Sequence, residues 1–286
     1  MQSQARALFS RNINLIDLQR VSQIDKSFNP IGEETNLSTL PPSLAIVIHV
    51  FHLDQFKNIL KKVTRLGVNF DAFVTCSNPY IWPEVQKLSE EFSNLVDVKL
   101  TENRGRNFGP WLIEFHEQLQ KYEYFVHLHT KKSAHVRPRL SDDWSARSMA
   151  FIENKAVFDR AINILRRQPD VGLIFVDCGD LFRQINSYWN ANYDAAVMLV
   201  KTLGLGSLLP RNQKVIYPMG GMFLARTSSL KELLDHRWTP EMFPIEKGQL
   251  DGTTQHAIER LVGWIPKEKG MSICVYKPSA DTFYVN

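Results

Sequence analysis

The feature that most limits what this chain can fold into is a repeated alternation of short apolar runs, rich in β-branched residues, with longer segments of helical periodicity. It begins at Leu44–Phe51 (LAIVIHVF), whose nearly continuous apolar character suits a strand buried on both faces of a parallel sheet. Leu53, Phe56, Ile59, Leu60, Val63 and Leu66 then recur at helical spacing, and Gly67 follows as a stop. Phe70–Cys76 reads as a second strand, Pro83–Asn94 as a helix and Val96–Leu100 as a third strand. Pro110 opens a helix with Leu112, Phe115 and Leu119 on one face, and Tyr124–His129 is the strand after it. Alternation of this kind implies βαβ units around a largely parallel sheet, the α/β class. Further on come a helical stretch from about Asp142 to Gln168, a strand at Val171–Val176, an aromatic-rich region around Tyr188, Trp189 and Tyr193, and a glycine-rich segment.

Residues 1–43 are largely polar and read as a leader and linker. The stretch from Asn29 opens on an Asn-Pro-Ile-Gly turn signal and closes at Pro41 and Pro42. The chain from Leu44 onward reads as one domain, 44–286, and the final KPSADTFYVN has no evident terminal helix, an ending compatible with truncation. Hydrophobic residues at 44% and charged residues at 22% argue against disordered and fibrous classes. The net charge of +4 is too mild to call for a nucleic acid partner. Cys76, Cys178 and Cys274 lie far apart in apolar stretches, as buried thiols in a reducing compartment do, so a cytoplasmic location is expected. No window approaches the roughly 18 apolar residues of a membrane span, and membrane contact is expected to be peripheral.

Four segments carry chemistry. Asn103-Arg104-Gly105-Arg106-Asn107 lies between a strand and a helix, where two guanidiniums and the open amides of a helix N-terminus suit a diphosphate; an ordinary glycine turn capped by Asn107 suits the same residues. Next, His127-Leu128-His129-Thr130-Lys131-Lys132 ends a strand at the edge where open α/β sheets place ligands. Alternation puts His127 and His129 on one face, with core histidines favoured over a metal pair because no cysteine or carboxylate completes a ligand set. In the third segment, Gly220 and Gly221 precede Met222 and an apolar strand, which permits close approach of a sugar ring or makes a plain bulge. The fourth runs from Asp251 to Leu261, with His256 and Arg260 four apart on the polar side of a helix; Asp251 is either the helix N-cap or a general base. Lys61, Lys62 and Arg65 read as a solvated helix face, and Trp144, Tyr188, Trp189 and Tyr193 as packing aromatics.

In this order, ENRGRNFGPWL, HLHTKKS, PMGGMF and DGTTQHAIERL resemble the signature set of the rhamnan synthesis protein F family over about Leu44 to Leu261. The resemblance implies an inverting glycosyltransferase of GT-A-like, Rossmann-like fold acting in bacterial surface polysaccharide synthesis. A nucleotide-binding half at about 44–135 would be followed by an acceptor half at about 136–286. It implies a nucleotide-sugar donor such as dTDP-L-rhamnose, a lipid-linked or polysaccharide acceptor, and work at the inner face of the cytoplasmic membrane. It also implies a divalent cation, Mg or Mn, on an acidic DXD motif, but here the strand ends in His127 to Lys132 instead. Arg104, Arg106, His129, Lys131 and Lys132 are the expected cationic substitute. Asn107 stands where the family usually shows aspartate. Asp251 is the expected base with Glu259 second to it; Asn103, Gly105, Asn107, His127 and Thr130 complete the expected donor site, and Gly220, Gly221, Met222, His256 and Arg260 the sugar pocket. The rival readings are a metal hydrolase or phosphotransferase using His127, His129 and Asp251, and a glycan-binding scaffold without catalysis.

Overall fold

The computed structural model describes residues 22–23, 43–130, 147–177, 188–206 and 208–285. Its strands are β1 (Ser22–Gln23), β2 (Leu44–Val50), β3 (Asp71–Cys76), β4 (Leu95–Leu100), β5 (Tyr124–His129), β6 (Val171–Val176), β7 (Phe223–Arg226), β8 (Ser272–Lys277) and β9 (Thr282–Val285). The helices are α1 (Leu53–Arg65), α2 (Trp82–Glu90), α3 (Gly109–Leu119), α4 (Ala150–Glu153), α5 (Lys155–Arg167), α6 (Tyr193–Thr202), α7 (Lys231–Asp235) and α8 (Thr254–Glu268).

All the strands join one sheet in the order β1-β9-β8-β6-β7-β5-β2-β3-β4. β4, β3, β2 and β5 run parallel, β7 is inserted antiparallel between β5 and β6, and β8 is parallel to β6. The sheet is therefore the mostly parallel, Rossmann-like one that the alternation implies. Its chain order reverses between β2 and β5, so the carboxyl ends of these two strands flank a switch point.

Strand alternation divides the core in two. Ile46, Ile48, Val50, Val74, Val126 and Leu128 pack on one face with Phe56, Ile59 and Val63 of α1 and Phe158, Ala161 and Leu165 of α5. Ala45, Val47, Phe73, Phe125 and Leu173 pack on the other with Trp111, Leu112 and Phe115 of α3 and Ile258, Leu261 and Val262 of α8. Helices cover both faces, which is what lets central strands read as unbroken apolar runs.

Three sequence expectations need correction. The long helix ends at Glu153 and restarts at Lys155, because Asn154 adopts an extended conformation and its side chain accepts the Ala156 amide at 2.8 Å, capping a new helix. The helix expected over Pro83–Asn94 stops at Glu90, and Asn94 instead donates its side-chain amide to the Phe70 carbonyl. Lys62 is not on a solvated face: it pairs with Glu153 with its side chain only 13% exposed, and burial pushes its pKa down. In the stretch read as leader, Ser22 and Gln23 form the edge strand β1 and pair with β9. Cys76 and Cys274 are buried free thiols, and burial pushes Cys274 up to about 12. Cys178 and Trp144 lie outside the described residues.

Candidate functional site

The sheet's second face changes character toward its carboxyl edge. Along β2 the inward positions run Ala45, Val47, His49; along β3, Phe73 then Thr75; along β5, Phe125, His127, His129. His49, Thr75, His127 and His129 are all buried. Their phase was readable in the sequence for β5, but His49 was missed although it interrupts an otherwise apolar run in the same register.

His127 is fully buried between Phe108, Trp111 and Phe223, with ring centroids 5.4–5.5 Å away. Both its nitrogens face carbonyl oxygens, Nδ1 at 2.5 Å from Gly221 and Nε2 at 2.9 Å from Asn107. A neutral imidazole has one N–H, so the two carbonyls favour the cation, yet burial outweighs them and pulls His127 down to about 4. Burial, with the neighbouring His127 adding to it, takes His49 to about 3, and its Nδ1 lies 3.0 Å from Thr75 Oγ1. His129 Nε2 donates to the Gly220 carbonyl. The two histidines thus hold the Gly220–Gly221 loop to the strand, while Glu259 of α8 accepts the Gly220 amide at 2.7 Å. Gly221 has φ +85°, and a Cβ there would stand 2.2 Å from Asn107 Nδ2, so glycine is required on two counts. Met222 is buried on the opposite, apolar face.

The arginine loop is equally committed. Gly105 has φ +71° with no room for a Cβ against Gly109 and Phe243, and Arg106 follows with φ +49°. Arg104 binds Glu102 at 3.1 Å and reaches the carbonyls of Pro240 and Phe243. Arg106 makes a two-pronged contact with Glu246 at 3.1 and 3.3 Å, donates to the Gln249 carbonyl and meets His256 Nε2 at 2.9 Å. Because arginine only donates, His256 Nε2 accepts, and its Nδ1 proton goes to Thr253 Oγ1 at 2.7 Å. Both guanidiniums therefore brace the segment from Pro240 to His256, and Glu246, which no sequence motif singles out, neutralises one of them. Asn103 is exposed at the tip of the loop.

Neither helix is capped as the simpler readings had it. The N-cap of α3 is Phe108, without a side-chain bond, and that of α8 is Thr253. Asp251 lies two residues earlier, one-third exposed, accepting from Asn192 Nδ2 at 2.5 Å with Arg260 Nη1 at 3.6 Å. Arg260 also binds the carbonyls of Tyr188 and His256 and covers the Tyr217 ring. Asn192 returns its Oδ1 to the Gly252 amide, a second anchor that sequence spacing could not reveal. Trp189 packs against Trp264 and Tyr193 binds the Leu209 carbonyl, so these aromatics serve packing.

At the switch point, Thr130 Oγ1 accepts the amides of Phe51 and His52 at 2.7 and 2.9 Å, locking the carboxyl ends of β2 and β5 together. Asn78 reaches the Phe51 carbonyl, and Ser77 links to Thr101 and the Glu102 carbonyl, which ties in β3 and β4. Lys131 and Lys132 lie outside the described residues. Among the described residues no group of three or more His, Cys, Asp or Glu side chains is placed to hold a metal ion, and His127 has no nitrogen left for one. A separate hollow of about 260 Å³ opens at the amino end of the sheet, between Tyr122, Arg226 and Lys231, remote from all four segments by strand direction.

The family model for rhamnan synthesis protein F matches residues 13–271. Among curated proteins, the uncharacterized protein WxcX of Xanthomonas campestris pv. campestris (strain B100) is 30% identical over 226 residues, covering 78% of this chain and 31% of the relative. The protein of the same name from strain ATCC 33913 shows the same identity and coverage. The chain thus spans about a third of the length of the curated relatives it matches.

Proposed function

The chain belongs to the rhamnan synthesis protein F family, a family of polysaccharide synthesis, and from that premise we propose that it transfers a sugar from a nucleoside-diphosphate donor to a growing surface glycan. One observation carries this reading: four segments spread from Asn103 to Leu261 interlock at the carboxyl edge of a Rossmann-like sheet, beside its switch point. The antiparallel strand inserted between β5 and β6 suits the GT-A variant of that fold. Such a transfer needs three things from the protein: an anchor for the diphosphate, a floor for the sugar and a base for the acceptor hydroxyl.

The geometry divides the labour differently from a simple cationic cradle. Arg104 and Arg106 are engaged by carboxylates and carbonyls, so they shape the site, and the countercharge for the leaving diphosphate falls to Lys131 and Lys132, which follow Thr130 in the chain. The exposed face of the Gly220 loop forms the floor. Glu259 accepts the Gly220 amide and so serves the loop, and Asp251, one-third exposed, is the carboxylate we assign as the base. Held by Asn192 and Arg260, it takes the acceptor's proton as the hydroxyl oxygen attacks the anomeric carbon and the diphosphate departs from the opposite side, inverting the centre. The described residues offer no donor set for a divalent cation, and no step is assigned to one.

Calorimetric titration with dTDP, UDP and GDP and their sugars, in excess EDTA, tests the reading. One nucleoside diphosphate should bind, Lys131→Ala with Lys132→Ala should weaken it, and Asp251→Asn should leave binding intact while slowing transfer by about 10²–10⁴. Absence of binding to any nucleoside diphosphate would overturn the transferase reading, and binding restored only by manganese would overturn its cation-free form.

A further inference from the structure

The sheet ends differently on its two sides. On one, β9 is covered by β1; on the other, β4 pairs with β3 alone among the described residues. Thr101, the residue after β4, donates its amide to the Cys76 carbonyl at 2.8 Å, in the register that sets Cys76 beside Leu100. Backbone groups of a strand alternate between its two sides, so Lys99 turns its amide and carbonyl toward β3, while Val98 and Leu100 turn theirs to the open side. The irregularity in the pairing falls at Ala72/Phe73, which leaves Asp97 to Leu100 in even register. Val96 and Leu100 are 53% and 47% exposed, and an apolar edge strand with outward amides is a template for another strand.

The charges on β4 say which strand. A lone lysine commonly guards such an edge, but Lys99 has Asp97 two positions back on the same face, at 3.3 Å. The sequence around Val98 is therefore self-complementary. When a second copy runs antiparallel with the two Val98 residues opposed, Asp97 of each copy faces Lys99 of the other, and Val96 faces Leu100. Every charge then has its opposite both along its own strand and across the pair. This register also sets the outward amide and carbonyl of Val98 against those of its counterpart, as a hydrogen-bonded antiparallel pair requires. Moving the centre one residue either way opposes Asp97 to Asp97 or Lys99 to Lys99, so charge selects the register. We propose that β4 joins two copies of this chain, antiparallel about Val98, into one continuous sheet. Such an interface is isologous, and it stands independently of the transferase reading. A contact six residues long is small, so a dimerisation constant of about 10–100 µM is expected.

Sedimentation velocity of the whole chain over roughly 5–500 µM tests it, and the expected result is a shift from monomer to dimer across that range. Asp97→Lys sets lysine against Lys99 in both cross-strand pairs, and Lys99→Asp sets aspartate against Asp97. Each variant alone should associate about tenfold more weakly than the unaltered chain. Mixed in equal amounts, the two restore both opposite-charge pairs, and a heterodimer should form with about the unaltered affinity. Val98→Pro removes an amide that faces away from β3 and should abolish the dimer. The side chains of Asp97 and Lys99 are 34% and 45% exposed, so thermal melts of the two charge variants should match the unaltered chain. A chain that stays monomeric throughout the range overturns the proposal. So does a dimer that both charge variants leave intact, or a mixture of the two that fails to pair.

Discussion

The two faces of the central sheet are built from the same strands, residue by residue in alternation, yet only one of them carries buried imidazoles. On the first face β2 and β5 run Ile46, Ile48, Val50 and Val126, Leu128, apolar to the carboxyl edge. On the second they run Val47, His49 and Phe125, His127, His129, apolar at the amino end and polar where the strands finish. A buried imidazole costs stability unless it is bonded, so its repeated use in one corner of one face marks the place where the structure gives up packing for chemistry. The first face supplies the rigidity that the second needs, because a strand well anchored on one side holds its opposite side chains in register.

Exchanging that character is the severest test of the comparison. Leu128→His sets an imidazole between His127 and His129 in sequence but on the apolar face, opposite Ile48, where no acceptor awaits it. Lost packing and an unpaired polar group together should cost about 3–5 kcal/mol, measured by urea denaturation. A loss under about 1 kcal/mol would mean that the apolar face tolerates polarity and that the asymmetry has no energetic basis.

Much of this division was legible in the sequence. β2, β3 and β5 fall within a residue or so of their apolar runs, because burial on both faces leaves an unmistakable composition, whereas β4 is a half-exposed edge strand. The grouping of the four segments came from the resemblance of the set, and strand-end positions joined only the arginine loop and the HLHT segment. What the spacing hid were contacts made by side chains far apart in the chain: Glu246 answering Arg106, Asn192 anchoring Asp251, and the Gly220–Gly221 carbonyls taking the histidines. Local pattern carries no record of which donor meets which acceptor across 59–140 positions. That is why the partners of two arginines with the look of a diphosphate clamp stayed out of sight, and why Asp251 and Asn107 looked like helix caps. The break at Asn154 was hidden because the helical pattern continues through it.

A smaller effect separates the faces by pH. His127 is neutral in the folded protein, drawn down from 6.5 to about 4 by burial, whereas the unfolded chain takes up its proton near 6.5. Between these values the unfolded state binds more protons, so stability falls as pH drops from about 6.5 toward 4, and His49 extends the fall toward 3. His127→Phe, placed among Phe108, Trp111 and Phe223, should lose about 1–3 kcal/mol at neutral pH because the one carbonyl, of Gly221 or Asn107, that accepts its single N–H is left without that donor. The variant should also show a shallower acid decline. Unchanged acid dependence in thermal melts would assign the decline to other groups.

The smallest change concerns the link between strand and loop. His129→Leu keeps apolar bulk beside His127 and removes the bond to the Gly220 carbonyl, a loss of roughly 1 kcal/mol. Gly220 remains tied by its amide to Glu259 and Gly221 by its carbonyl to His127, so the loop keeps two of its three anchors and the fold survives. Function should respond out of proportion to stability: the floor under the sugar loosens, and an error of about 1 Å in placing the anomeric carbon against Asp251 costs on the order of 10²-fold in rate. Glu259→Gln, which retains an acceptor for the Gly220 amide, should cost less in rate than His129→Leu. If the two variants fell equally in rate and in melting temperature, the polar corner would be serving stability alone, and the contrast between the faces would lose its functional meaning.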